Sequence, residues 1–254
     1  MPRETAPSRA SQLPGQTIVL DAGELHRRLA ADLAGAIREV VTARGRAHLA
    51  LSGGGSPEPV YRVLAGDDGT ARGDVPWSAL HVWLVDERRV PADDPRANLR
   101  MLRAALGRHA ERIEALDATA PEAAHTYEER LRAALPDGRL DLVLLGVGAD
   151  GHTASLFPDS PALDDGGRWV LPNDGPTVVP PPRLTMTAPL LSRARRVWVL
   201  ATGSAKRGPL AALARLRAEP AAPADAARAA RALPIALIRP AAELRFYLDP
   251  AAAP

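Results

Sequence analysis

Hydrophobic positions along the chain fall into two patterns. Leu25, Leu29, Leu33, Ile37 and Val40 recur every three or four residues and predict one long helix with an apolar stripe, and Asp21 with Glu24 three residues on predicts a capping box at its start. Short apolar runs at 17–20, Ala47–Leu51, 80–85, 142–145 and 196–202 predict buried strands, because a strand covered on both faces needs no polar alternation. Between them the spacing predicts helices from about 57, over 98–106, 121–135, 188–193 and 205–217. Briefer runs at 113–116, 169–171, 234–238 and 244–248 predict further strands, the last two closing the sheet. Segments 66–76 and 159–168 read as polar turns, and the alanine-, proline- and arginine-rich stretch 218–232 as a loop with a short exposed helix. Strands alternating with helices predict an α/β fold: a three-layer α/β/α sandwich on a mostly parallel sheet, one domain over 17–254 behind a disordered tail at 1–16.

Composition narrows the class. The 254 residues contain no cysteine, so neither a disulfide framework nor a thiolate metal site is available, and a cytoplasmic setting is expected. The first sixteen residues lack the apolar core of a signal peptide, and no stretch has the length of a membrane span, so no membrane association is expected. The formal charge is +2 with basic and acidic residues interleaved, which gives no nucleic-acid surface. One feature stands apart: Lys206 is the only lysine, every other side-chain cation being arginine. A compact ammonium at that one place asks for a chemical reason.

In an open α/β sheet the loops at the carboxyl ends of the strands face the ligand crevice, so polar groups there carry the chemistry. After Leu51 comes Ser52-Gly53-Gly54-Gly55-Ser56-Pro57, a glycine loop leading into a helix, whose backbone amides can converge on an anion. It matches neither a Walker loop nor a dinucleotide fingerprint, so neither ATP nor NAD is expected. After Val85 comes Asp86-Glu87-Arg88-Arg89-Val90-Pro91, with Asn98 opening the next helix. Lys206 follows Gly203 in a first helical turn, where a cation opposes the helix dipole unless an anion lies beside it. After Leu145 come Gly146, Gly148 and Gly151, delivering Asp150 and His152 together.

Of the six histidines, only His152 follows a glycine turn after a buried strand with a carboxylate two residues away; the others read as packing or surface residues. A histidine so placed suits a general base near neutral pH. The rival reading, a metal ligand, needs partners at H-x-x-x-H or H-E-x-x-H spacing, which the chain lacks. A G-x-S-x-G nucleophile elbow is also missing.

The runs SGGGSP at 52–57, DERRVP at 86–91 with Asn98, GVGADGHTASLFP at 146–158, RLT at 183–185 and Gly203 to Lys206 together resemble the 6-phosphogluconolactonase family over nearly the whole chain. The resemblance implies a Rossmann-like sandwich of the sugar-phosphate isomerase/lactonase type. It implies a sugar-phosphate lactone as substrate, with no metal or organic cofactor and no indicated protein partner. His152 is then the base that activates water, and Asp150 orients it. Gly53, Gly54, Gly55, Ser56, Asp86, Arg88, Asn98, Arg183 and Lys206 then hold the phosphate and sugar, which accounts for the lone lysine. Two positions depart from the family pattern: Gly55 stands where serine or threonine is frequent, and Ala97 where serine is common. The related glucosamine-6-phosphate deaminases carry a similar D-G-H turn. They have a glutamate where this chain has Phe157 and a tyrosine where it has Arg88, and both differences favour the lactonase. Related domains also serve as sugar-phosphate sensors in transcription regulators, but such a sensor has no use for His152.

Overall fold

The computed structural model describes residues 12–66, 75–164, 166–175, 178, 181–218 and 222–254. Six strands form a parallel sheet: β1 (Gln16–Val19), β2 (Ala47–Leu51), β3 (Leu80–Leu84), β5 (Leu142–Gly146), β8 (Arg196–Ala201) and β9 (Glu243–Leu248), in the spatial order β1-β9-β8-β5-β2-β3. A smaller antiparallel sheet, ordered β4-β7-β6, is made by β4 (Asp86–Arg88), β6 (Val170–Asn173) and β7 (Arg183–Met186).

Strand periodicity sends alternate side chains to opposite faces, and both faces of the large sheet are apolar. Val143 and Leu145 of β5 and Val197 and Val199 of β8 join one core, while Leu142, Leu144, Trp198 and Leu200 join the other. The second core is closed by α1 (Ala22–Arg44), α2 (Glu58–Ala65) and α3 (Asn98–Leu106). The first is covered by α4 (Ala123–Ala134), α5 (Ala188–Arg193), α6 (Arg207–Ala218), α7 (Pro223–Ala232) and the small sheet. The stripe from Leu25 to Val40 is buried, as its spacing predicts.

From β2 the chain moves outward to β3, then returns to β5 on the other side of β2 and continues to β8 and β9. The direction of winding therefore reverses between β2 and β5, and the loops leaving these two strands part to open a crevice at the carboxyl edge.

Several expectations change. Asp21 makes no side-chain cap bond to α1, so the expected capping box is not formed. Segment 86–88 is not a charged loop but β4, held by register with β7. Residues 113–116 contribute only one bridge, Val82 to Ile113, and no strand. The apolar run at 234–238 forms a 3-10 turn over Pro234–Leu237 and not a closing strand; Pro234 there lacks the amide hydrogen that a sheet ladder requires. Of the tail expected at 1–16, residues 1–11 lie outside the described residues, Leu13 is buried and Gln16 begins β1. Residues 67–74, 165 and 219–221 of the expected turns and loop also lie outside them.

Candidate active site

A cleft of about 230 Å³ lies at the carboxyl ends of β2, β5 and β8, with the small sheet and the start of α3 as its far wall. The glycine loop 53–56, Asp86, Arg88, Asn98, His152, Arg183 and Lys206 all line it; Asp150 stands behind His152.

The His152 side is built by a tight turn. The Gly148 amide donates to the His152 carbonyl at 2.8 Å, and the Gly151 amide to the Gly148 carbonyl at 3.1 Å. A Cβ on Gly148 would fall 2.0 Å from His152 Nδ1, and Gly151 has φ +82 with Leu233 filling the space a Cβ would need. Both glycines are therefore obligatory for the turn. Asp150 Oδ1 accepts from the His152 amide at 3.1 Å and lies 2.5 Å from His152 Nδ1. Burial pushes the Asp150 carboxyl up, but the hydrogen bonds and charge of His152 outweigh it and hold the group below its ordinary value. An ionised carboxylate needs a donor, so the proton sits on Nδ1 and leaves Nε2 as an acceptor. Phe157 packs against the imidazole with ring centroids 4.7 Å apart.

The opposite wall is cationic. In the register of β4 and β7, Arg88 stands directly opposite Arg183, and like charges so placed repel. Burial, and then the Arg88 charge, lower the Arg183 guanidinium from its ordinary value. Arg88 Nη1 donates to the Asn98 side-chain oxygen and to the Arg96 carbonyl at 2.8 Å. Asn98 in turn donates to the Asp86 carbonyl at 2.9 Å, and Asp86 Oδ2 accepts from Ser155 Oγ at 2.6 Å. Asn98 presses so closely on the glycine loop that a Cβ on Gly53 would meet its side-chain oxygen at 1.9 Å.

On the third side, Ser56 Oγ and Thr202 Oγ1 lie 3.0 Å apart, tying the loop after β2 to the one after β8. The Gly203 amide donates to Asp249 Oδ2 at 2.9 Å, which fixes the turn Ser204–Lys206. Lys206 has no carboxylate within ion-pair distance among the described residues. A Cβ on Gly55 would meet nothing within 4 Å, so the loop has room for the hydroxyl that this chain lacks there.

Sequence reasoning missed three contributors. Ser155 and Thr202 bond to residues far away in the chain, and no local pattern marks such partners. Ala154, which also lines the cleft, takes φ +49, a left-handed conformation that a non-glycine residue adopts at a cost. Among the described residues no group of three or more His, Cys, Asp or Glu side chains is placed to hold a metal ion.

The chain is similar to known proteins. A family described as glucosamine-6-phosphate isomerases/6-phosphogluconolactonase matches residues 20–242. A 6-phosphogluconolactonase of Synechocystis is 37% identical over 84% of this chain and 86% of its own length. The human GDH/6PGL endoplasmic bifunctional protein is also 37% identical over 87% of this chain, which spans only 29% of that longer protein. Among solved structures, the 6-phosphogluconolactonase of Trypanosoma brucei superposes with a TM-score of 0.76 at 27% identity, covering 95% of this chain and 98% of that one. A monomeric glucosamine-6-phosphate deaminase, 21% identical with a TM-score of 0.72, shares the fold. With a matched span running from the end of β1 to the threshold of β9 and enclosing every residue of the cleft, the chain belongs to the glucosamine-6-phosphate isomerase/6-phosphogluconolactonase family.

Proposed function

We propose that this protein hydrolyses 6-phospho-D-glucono-1,5-lactone to 6-phospho-D-gluconate, the lactone-opening step of the oxidative pentose phosphate pathway. The observation that carries the reading is the Asp150–His152 pair, 2.5 Å apart, on one wall of a cleft whose other walls carry Arg88, Arg183 and Lys206. The imidazole, with Nδ1 engaged by Asp150, shares the cleft with Arg88, Arg183 and Lys206.

His152 Nε2 takes a proton from water as its oxygen attacks the lactone carbonyl carbon. The bond from that carbon to the ring oxygen then breaks, and His152 returns the proton to the departing oxygen. Asp150 steadies the imidazolium between the two transfers. The phosphate rests among Lys206, Arg183, Arg88 and the amides of Gly53, Gly54, Gly55 and Ser56, with Asp86 and Asn98 ordering the sugar side. Backbone amides at the reacting end meet the charge that develops on the carbonyl oxygen.

Residues 17–254 are read as one domain, supported by the sheet that joins β1 to β9. No helix among the described residues is long and apolar enough to cross a membrane. We read the setting as cytoplasmic, which the cysteine-free sequence supports.

The test generates the lactone in place and follows hydrolysis above its spontaneous rate, with glucosamine 6-phosphate as the competing substrate. Turnover of the lactone in the presence of EDTA, with none of the amine, is expected. Turnover of the amine alone, or zinc-dependent hydrolysis, would replace this reading.

A further inference from the structure

The function of the cleft leaves unused a buried carboxylate directly behind its wall. Glu87 is 2% exposed and lies on β4 between Asp86 and Arg88, so strand alternation turns it away from the cleft that its two neighbours line. Its Oε1 accepts from the Arg88 amide at 2.7 Å and the Asn98 amide at 2.7 Å, and its Oε2 from the Leu99 amide at 2.7 Å. Asn98 and Leu99 are the first two residues of α3, whose N-cap residue, Ala97, offers no side-chain cap. Burial pushes the Glu87 carboxyl up, while the three amides oppose that.

A carboxylate at a helix start has an ordinary stabilising role, since it meets unsatisfied amides and the positive end of the dipole. The present one does more, because its oxygens join two elements. One bond from Oε1 holds the backbone of Arg88 on β4, and the other holds the backbone of Asn98 on α3. The Asn98 side chain then reaches back to the Asp86 carbonyl, receives Arg88 Nη1 and abuts Gly53. The small sheet, α3 and the glycine loop therefore meet around a single buried side chain.

We infer that Glu87 is a positioning residue: by clamping the amides of Arg88, Asn98 and Leu99 it sets where the Arg88 and Asn98 side chains stand in the cleft, and so governs affinity for the phosphorylated substrate. It acts from behind the wall and touches no substrate atom. The inference rests on the lactonase reading only for its kinetic readout, since binding of the product is measurable without turnover.

The serine-free N-cap gives a way to separate clamp from cap. A serine at 97 reaches the Leu99 or Arg100 amide and restores helix capping, but it cannot tie α3 to β4. The intact chain and the variants Glu87→Ala, Glu87→Gln and Glu87→Ala/Ala97→Ser are compared by thermal melting, by calorimetric titration with 6-phosphogluconate and by kcat and KM for the lactone. Glu87→Ala is expected to lower kcat/KM by on the order of 100-fold, chiefly through KM, with a matching rise in the product dissociation constant. Glu87→Gln keeps one oxygen for the Arg88 and Asn98 amides, so its affinity should fall between. The added serine should recover thermal stability and leave the weakened affinity in place. Recovery of affinity together with stability would make Glu87 a helix cap only and overturn the inference, as would a loss of melting temperature with affinity unchanged. If Glu87→Ala does not fold, an unchanged product affinity in Glu87→Gln overturns it equally. Weakened product binding in a protein whose wild type opens no lactone would retain the clamp and reject the reaction.

Discussion

At the amino ends of β5, β8 and β9 lies a second cavity of about 530 Å³, more than twice the 230 Å³ of the cleft at the carboxyl ends. Arg44, Arg139, Arg193, Arg195, Arg196 and Arg239 line it. By size and count of cations it looks the better anion site. Three of these arginines, however, are engaged in ion pairs. Arg195 and Arg44 reach both Asp137 and the buried Asp141, and Arg196 reaches Glu39 at 2.7 Å and Glu243 at 3.5 Å. In the smaller cleft Arg88 faces Arg183 across two strands, and Lys206 has no carboxylate within reach among the described residues. The number of cations does not mark the site; the amino end ties Arg44, Arg195 and Arg196 to carboxylates, whereas among the described residues neither Arg88 nor Lys206 has a carboxylate within ion-pair distance. The amino end uses charge to close the structure, and the proposed function assigns the charge at the carboxyl end to the substrate phosphate.

The largest expected effect on this contrast comes from Asp141→Ala. Asp141 is 2% exposed, and its Oδ2 accepts from the His48 amide at 2.9 Å; removing it leaves arginines without their buried partner. A loss of about 1–3 kcal/mol in denaturant unfolding is expected, chiefly from the orphaned His48 amide, with kcat/KM of the folded fraction within about twofold of wild type. A collapse of kcat/KM in folded protein would show that the two ends are not separable.

The pH dependence of stability probes the same end. His48 is buried, stacks on His81 with centroids 4.6 Å apart, and accepts at Nδ1 from Trp83 at 3.3 Å. Burial first, and then the His81 charge, lower its pKa to about 4, with Asp141 opposing. Between about 4 and 6.5 the unfolded chain therefore binds more protons than the folded one, and stability rises with pH. Lowering pH through that window should cost up to about 3 kcal/mol, read from urea midpoints, and His48→Gln should flatten the slope between about pH 5 and 6.5. A wild-type slope unchanged in the variant would assign the effect to other groups.

At the carboxyl end, Lys206→Ala should raise KM by about 10–100-fold with kcat nearly unchanged, because the phosphate is held alike in ground and transition states. A fall in kcat at constant KM would put the ammonium at the reacting carbon. The smallest change is expected from Gly55→Ser, which has room for its side chain and adds one donor to the loop. KM should fall by about 2–10-fold. A rise would show that the serine disturbs the loop.

The two sides of the active cleft differ in how they are written in the chain. The His152 wall was legible because it is local: a buried strand, glycines at positions where a Cβ would collide, and a carboxylate two residues from the histidine all lie within one turn. The large sheet was legible because strands covered on both faces are continuous apolar runs. The cationic wall was legible only as residues, through resemblance, and not as structure. β4 has three charged residues and no apolar run, and its partner β7 lies almost a hundred positions away, so nothing local announces the pairing. Glu87 escaped notice for the same reason, since it caps α3 from another strand while the local signal at Ala97 is missing. The run at 234–238 misled in the opposite sense: five residues are too few for periodicity to separate a strand from a turn.

In the proposed reaction His152, held by Asp150, activates water at the carboxyl end of the sheet. Its most direct test is lactone hydrolysis above background by wild type and His152→Ala, alongside calorimetric binding of 6-phosphogluconate. In the variant kcat is expected to fall by about 100- to 10,000-fold, with product affinity and melting temperature close to wild type. Turnover by His152→Ala at the wild-type rate would contradict it.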